Sequence, residues 1–322
     1  MEKESGSGPL NAPYEECRPA LWKRLVYSLW KDVRHLAGYP EQLKQAISLG
    51  GLRPVTLQPP PDTFWMRSVV RWDTWMNGTY CESACTLNYR SPGYDRRFES
   101  SAILVPELQE LVCRETVDNF SCDITDVSGM AASKSVDYDI QDIDQFPELR
   151  APEYISPVSE LRLADNLTHR GIRWDEMRFA DYSWTSRRLY WLNCDGSHHL
   201  AAARYLAVRT GKNVPLNGTL YRYTLKPDAV KKLQRNWYIF AVPDEEIFHT
   251  FYDAMEGFQC PFGHSVLPEN LHAAQSCKDM LGLIWLPRWQ PKTASVAQLL
   301  ARAGFPDFNH ILSRHALQTT LN

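Results

Sequence analysis

The sequence lacks any apolar run of about 20 residues, the length that crosses a bilayer as a helix, so no membrane span is expected. Its opening, MEKESGSGPLNAPYEEC, lacks the apolar stretch of a secretory signal. There is no excess of positive charge either. Thirty-five Lys and Arg against 38 Asp and Glu leave a net charge of −3, which excludes a global attraction to nucleic acid or acidic membranes. No internal repeat is visible, and no compact cysteine framework. Cys17, Cys81, Cys85, Cys113, Cys122, Cys194, Cys260 and Cys277 are scattered over 322 residues, whereas disulfide scaffolds are short and dense. A cytoplasmic protein with reduced thiols is therefore expected, and the sequons at Asn77, Asn119, Asn166 and Asn217 read as chance matches.

What is present is ordinary globular material, 44% hydrophobic and 23% charged, with many aromatics: 11 Trp and 15 Tyr. Their first reading is core mass. The chain is long enough for two domains or one elaborated one. Residues 1–16 read as a polar leader and 17–150 as an aromatic-rich α/β region. That region opens with helical spacing from Arg18 to Leu49 and continues with alternating segments over 63–120. An acidic stretch from Asp123 to Glu148, with Asp137, Asp139, Asp142 and Asp144, reads as a solvated loop or edge. Residues 151–255 form a second α/β unit, and 256–322 a helical extension with helices at Val296–Ala303 and Phe308–Leu317. The fold class expected is α+β.

One segment concentrates the chemistry. Leu189 to Leu192 is an apolar strand, Asp195-Gly196 a turn, and a small-residue helix runs from about His198 to Thr210, with Gly211 as its stop. Amides at such a helix start, with the positive end of the helix dipole, favour anions. Asp195 can accept amide hydrogen bonds or help to hold a metal, and Gly196 admits a close approach. Ser197 suits the N-cap. His198 can donate to a phosphate oxygen or act as general acid or base, and His199 stands beside it.

This segment, Asp195-Gly-Ser-His-His-Leu-Ala-Ala-Ala-Arg204, resembles the signature loop of the ParB/sulfiredoxin-like superfamily, whose members carry G-E-R-R, G-G-C-H-R or D-G-H-H-R between a strand and a small-residue helix. The resemblance spans roughly residues 155–250. It implies a ParB/sulfiredoxin-like domain that binds a nucleotide with Mg²⁺ and carries out phosphoryl transfer or nucleotide hydrolysis. Asp195 and His198 would be catalytic, and Gly196, Ser197, His199 and Arg204 would hold phosphates. Ser197 occupies the position of the sulfiredoxin cysteine, which excludes that thiol chemistry. His199 replaces the family Arg, so the permanent charge must come from Arg204, Arg187, Arg188 or Lys212. A DNA-associated binder or nuclease, and a non-catalytic interaction protein partnered through its N-terminal region, are the alternatives. Weaker candidates are zinc at Cys81/Cys85 with Cys260/His264, a Glu245/His249 pair, and a helix-turn-helix at 296–315.

Overall fold

The computed structural model describes residues 39–76, 85–136, 139–273 and 280–321. The leader, most of the first predicted helix, the Asn77-Gly78 turn, Asp137 and the cysteines at 17, 81 and 277 lie outside these residues.

The first half contains α1 (Glu41–Ser48), β1 (Leu57–Gln58), the hairpin β2 (Thr86–Pro92) and β3 (Phe98–Leu104), α2 (Pro106–Gln109), β4 (Val112–Asp123) and β5 (Val127–Met130). Next come α3 (Gln145–Arg150), α4 (Pro152–Ile155), α5 (Glu160–Leu167), β6 (Arg178–Tyr182), β7 (Leu189–Trp191), α6 (Ser197–Thr210), β8 (Pro215–Leu225), α7 (Pro227–Asn236) and β9 (Trp237–Pro243). The chain continues through α8 (Asp244–Glu246), a π-helical stretch (Ile247–Phe251) and α9 (Tyr252–Phe258). It finishes with β10 (Phe262–Val266), β11 (His272–Ala273), β12 (Leu281–Pro287), α10 (Pro291–Arg302) and α11 (Phe308–Leu321).

The protein is α+β, built on two five-stranded sheets. One is antiparallel, in the order β3-β2-β10-β12-β9; the other is mixed, in the order β4-β8-β6-β7-β5. Side chains alternate across a strand, and here both faces of both sheets are used. Ile239, Ala241, Leu283 and Trp285 of the antiparallel sheet share one core with Ala180, Tyr182, Tyr190 and Leu225 of the mixed sheet. Their neighbours Phe240, Val242, Ile284 and Leu286 face α1, α9 and α10. On the far side of the mixed sheet, Phe179, Trp191 and Leu220 pack against Leu200, Ala203 and Leu206 of α6. The result is a helix–sheet–sheet–helix stack, with most tryptophans in the cores as their number suggested.

Each sheet draws on distant parts of the chain, so the expected divisions at 150 and 255 do not separate them. β4 and β5 join the mixed sheet, whereas the β2–β3 hairpin joins the antiparallel sheet through β2, which pairs with β10 after residue 256. The last 67 residues are accordingly not a purely helical extension, because β12, a central strand, lies there. Its apolar run Leu281-Gly-Leu-Ile-Trp-Leu has no period to mark it as strand or helix. Phe64 to Trp72, which alternates like a strand, instead turns through a 3-10 segment at Met66–Ser68. The Ser68 hydroxyl donates to the Thr63 and Trp65 carbonyls at 3.0 and 2.7 Å, a local side-chain bond that competes with strand pairing. The acidic stretch is not simply a loop: it contains β5 and the start of α3, and it buries Ile140, Ile143 and Phe146.

Candidate functional site

Two parallel strands assemble the site. β5 and β7 run side by side in the same direction, with Met130 opposite Trp191. Their C-terminal ends therefore leave the sheet at one edge, where ligands commonly bind in such sheets. The loop after β5 lies against the loop that leads from β7 into α6. Asn193 ties them together: its Oδ1 accepts from the Ala131 and Ala132 amides at 3.2 and 3.1 Å, and its Nδ2 donates to the Ala132 and Asp195 carbonyls at 2.8 and 3.2 Å. A buried amide with all four bonds made holds both loops rigidly.

The helix begins at Gly196, whose φ of 72° lies in the left-handed region. A Cβ on Gly196 would sit 2.8 Å from the Gly171 carbonyl carbon, and one on Gly171 would sit 2.8 Å from the Gly196 nitrogen. The pair brings the 168–172 turn onto the helix start. No side chain caps this end of α6, and the first helical hydrogen bond runs from Leu200 N to Gly196 O. The amides of Ser197, His198 and His199 precede it. Ser197, expected as N-cap, is the first helical residue. It is buried, and its hydroxyl donates to Ser133 Oγ at 3.0 Å.

These loops enclose a cleft of about 360 Å³ lined by Ser133, Lys134, Tyr154, His169, Asp195 and His199, with Cys194, Gly196, Ser197 and His198. Of the six predicted site residues, five are brought together here. The sixth, Arg204, is not in the cleft wall, and its assignment to phosphate is corrected. Its guanidinium donates to the carbonyls of Val127 (2.6 Å) and Thr125 (3.0 Å) and pairs with Asp144, so it fastens α6 to the β4–β5 junction. It points to these partners because α6 packs that face on the sheet. The other substitutes proposed for the family Arg are also engaged elsewhere. Lys212 pairs with Glu160, Arg188 with Asp62, and Arg187 reaches the Leu321 carbonyl. The positive charges close to Asp195 are Lys134 and Arg170.

Hydrogen bonding defines the state of His199. Asn166, a sequon in the sequence, is 2% exposed. Its Nδ2 donates to the carbonyls of Tyr154 and Arg162 at 2.8 and 2.9 Å, which fixes the amide so that Oδ1 faces His199 Nδ1 at 3.1 Å. An amide oxygen only accepts, so Nδ1 carries the proton and Nε2 keeps its lone pair. Burial, then His169 and His198, hold the His199 pKa below that of a free imidazole. His199 is stacked between His169 (3.9 Å, 10°) and Tyr154 (4.3 Å, 25°). His169 has the opposite tautomer, since its Nδ1 accepts the Gly171 N–H at 3.1 Å. His198 leans on Phe146 at 4.9 Å, and burial lowers its pKa as well. The Gly196 amide, donating to Asp195 Oδ1 at 2.8 Å, holds the exposed Asp195 carboxyl below the usual carboxylate range, aided by Lys134, His169 and Arg170. At neutral pH the cleft thus offers the neutral imidazoles of His198 and His199 beside the Asp195 carboxylate.

Sequence reasoning missed Ser133, Lys134, Tyr154, Asn166, His169 and Asn193. The Asn166–His169 spacing on one helix end was a usable signal; Ser133-Lys134 carried none until β5 and β7 were known to be parallel. Of the weaker candidates, the zinc set is incomplete among the described residues, because Cys81 lies outside them. Among the described residues no group of three or more His, Cys, Asp or Glu could hold a metal ion. Cys260 is fully buried, its thiol pushed up to about 12 by that burial. Glu245 and His249 are both exposed. Phe308, Leu312 and Ala316 of α11 are buried in the central core, so that helix uses its apolar face for packing. No helix among the described residues is long and apolar enough to cross a membrane.

Fold and site together define an α+β protein whose mixed sheet ends in a histidine-lined cleft at a helix start. The chain belongs to a family of unknown function, DUF6685, whose model matches residues 117–322 and so takes in the mixed sheet from within β4, the cleft and the last helix. No curated protein and no solved structure matches the chain.

Proposed function

We propose that the cleft binds the phosphates of a nucleotide and catalyses phosphoryl transfer or nucleotide hydrolysis, in a domain of ParB/sulfiredoxin-like type. The observation that carries this reading is His199: its Nδ1 is held by a buried amide oxygen, so its ring supplies a base, at the start of a helix whose first amides are uncapped. Helix-start amides with Lys134 and Arg170 suit phosphate oxygens. Asp195 and His198 remain working residues, and His199 moves from phosphate holder to general base. A neutral imidazole with a depressed pKa takes a proton from an attacking hydroxyl or water at neutral pH.

Mg²⁺ fits this cleft as a companion of the ligand's phosphates. Asp195 is the one carboxylate among the lining residues, a hard oxygen donor, and Mg²⁺ commonly takes one or two carboxylates plus phosphates. The ion would supply neutralisation of phosphate charge. Asp195 would hold it at the mouth, the amides of Ser197–His199 would orient the phosphate, and His199 Nε2 would accept the proton.

The test is calorimetric titration of the full chain with ATP, CTP and GTP in Mg²⁺, followed by turnover of the nucleotide that binds. His199→Gln and His198→Ala are each expected to lower turnover at least about 100-fold with folding intact. Absence of binding by every nucleotide, or unchanged turnover in both variants, overturns the proposal.

A further inference from the structure

A second cleft, of about 370 Å³, lies on the other side of the 193–196 loop. Its wall includes Arg173, Glu176, Arg178, Trp191 and Asn193, and it shares Cys194 with the histidine cleft. The Gly171–Gly196 contact, with Gly171 in this wall and Gly196 in the other, divides the two cavities. The charge in the second cleft is cationic and disposable. Arg173 meets Glu176 at 3.4 Å, but both side chains are more than half exposed, and such surface pairs exchange readily for a ligand. Arg178 stands at the first position of β6, exposed, and makes no ion pair among the described residues. Two guanidiniums against one carboxylate leave a net positive wall over a rigid floor, since Trp191 is 3% exposed and Asn193 makes four hydrogen bonds. A planar fork of donors matches an oxyanion.

We propose that Arg173 and Arg178 form a second anion subsite, which takes the carboxylate or phosphate of a second ligand, or of the far end of one ligand, across the loop from the phosphate cleft. It rests on the reading of the first cleft only in calling the two subsites parts of one site; the anion affinity of the second wall stands by itself.

Cys194 reports on both cavities, because its thiol is exposed at their shared rim. The full chain is treated with an anionic disulfide, 5,5′-dithiobis(2-nitrobenzoate), and with the neutral 2,2′-dithiodipyridine, and modification at Cys194 is followed by mass spectrometry. The ratio of the anionic to the neutral rate is expected to fall about fourfold in Arg173→Gln/Arg178→Gln at low salt, as expected for removing two charges at short range through water. Inorganic phosphate should slow the anionic reagent in the parent more than in that variant. The neutral rate serves as the folding control. A ratio that falls in Lys134→Gln but not in the double variant overturns the second subsite and leaves the first cleft standing. A fall in the double variant, with no nucleotide bound in calorimetry, keeps the subsite and removes the proposed activity.

Discussion

The two sheets hold their histidines in opposite ways. At the edge of the mixed sheet, His169, His198 and His199 line a cleft, and the tautomers of His169 and His199 are set by fixed partners, the Gly171 amide and the Asn166 oxygen. In and around the antiparallel sheet, His264 and His315 are largely buried, and burial pushes each pKa down to about 4. His315 Nδ1 accepts the Trp72 indole N–H at 2.8 Å, within an aromatic cluster of Trp72, Trp75, Trp285 and Phe308. The same side chain is packing material in one place and chemistry in the other. What separates them is topology. The parallel β5/β7 pair sends two loops off one edge and leaves a cleft between them.

The largest effect expected separates the two ends of α6. Gly196 and Gly211 are both left-handed, at φ 72° and 64°. A methyl at Gly196 meets the Gly171 backbone, while one at Gly211 meets nothing within 4 Å. Gly196→Ala should lose about 3 kcal/mol or more, from strain plus the clash, and Gly211→Ala about 1 kcal/mol. Urea unfolding of both variants checks this, and equal losses would show that the glycine contact does not hold the cleft.

The second effect comes from the buried pair of the other sheet. Their folded pKa values lie below the unfolded value near 6.5, so the unfolded chain binds more protons between about pH 6.5 and 4. The stability they contribute is full above 6.5 and is lost as pH falls towards 4, on the order of 2 to 3 kcal/mol for each. His315→Gln should flatten that acid limb in unfolding midpoints measured from pH 7 to 4, whereas His199→Gln should leave more of it in place. A limb that is equally steep in His315→Gln breaks the comparison.

How much of this was legible in the sequence follows the same division. The β7–α6 junction was readable because everything that defines it is local: an apolar strand, Asp195-Gly196, a small-residue helix and Gly211. The helices α10 and α11 were readable for the same reason. The other half of the cleft was not, because Ser133 and Lys134 arrive only through a pairing between strands some 60 residues apart (Met130 with Trp191). Arg204 misled for a related reason. Sequence places it eight residues after Gly196, about two turns into the helix, but only packing shows which side of α6 faces the β4–β5 junction. Asn166 carried a glycosylation pattern, and only burial reveals it as the partner of His199.

A smaller effect concerns the aromatic cluster. Trp72→Phe removes the indole donor to His315 while keeping most of the ring, so the cost should be about 1 to 2 kcal/mol, the range for a buried hydrogen bond with its acceptor left unpaired. Thermal unfolding checks the loss, and nucleotide binding at the far edge should not change.

The smallest change in stability should come from Lys134→Gln, and it carries the comparison to its limit. Lys134 is exposed in the loop after β5 and lines the histidine cleft. Its replacement should leave the unfolding midpoint within about 0.5 kcal/mol, as for other surface changes. It is one of the charges that hold the Asp195 carboxyl low and the His198 imidazole low. Removing it should therefore raise both pKa values, read by NMR titration of the His198 ring, and weaken inorganic phosphate binding by a few fold in low salt, with the difference fading as salt rises. Such a residue is invisible to every measure of packing. If His198 titrates unchanged while phosphate binding falls, Lys134 acts on the ligand alone; if both move, the β5 loop tunes the histidines as well as the anion.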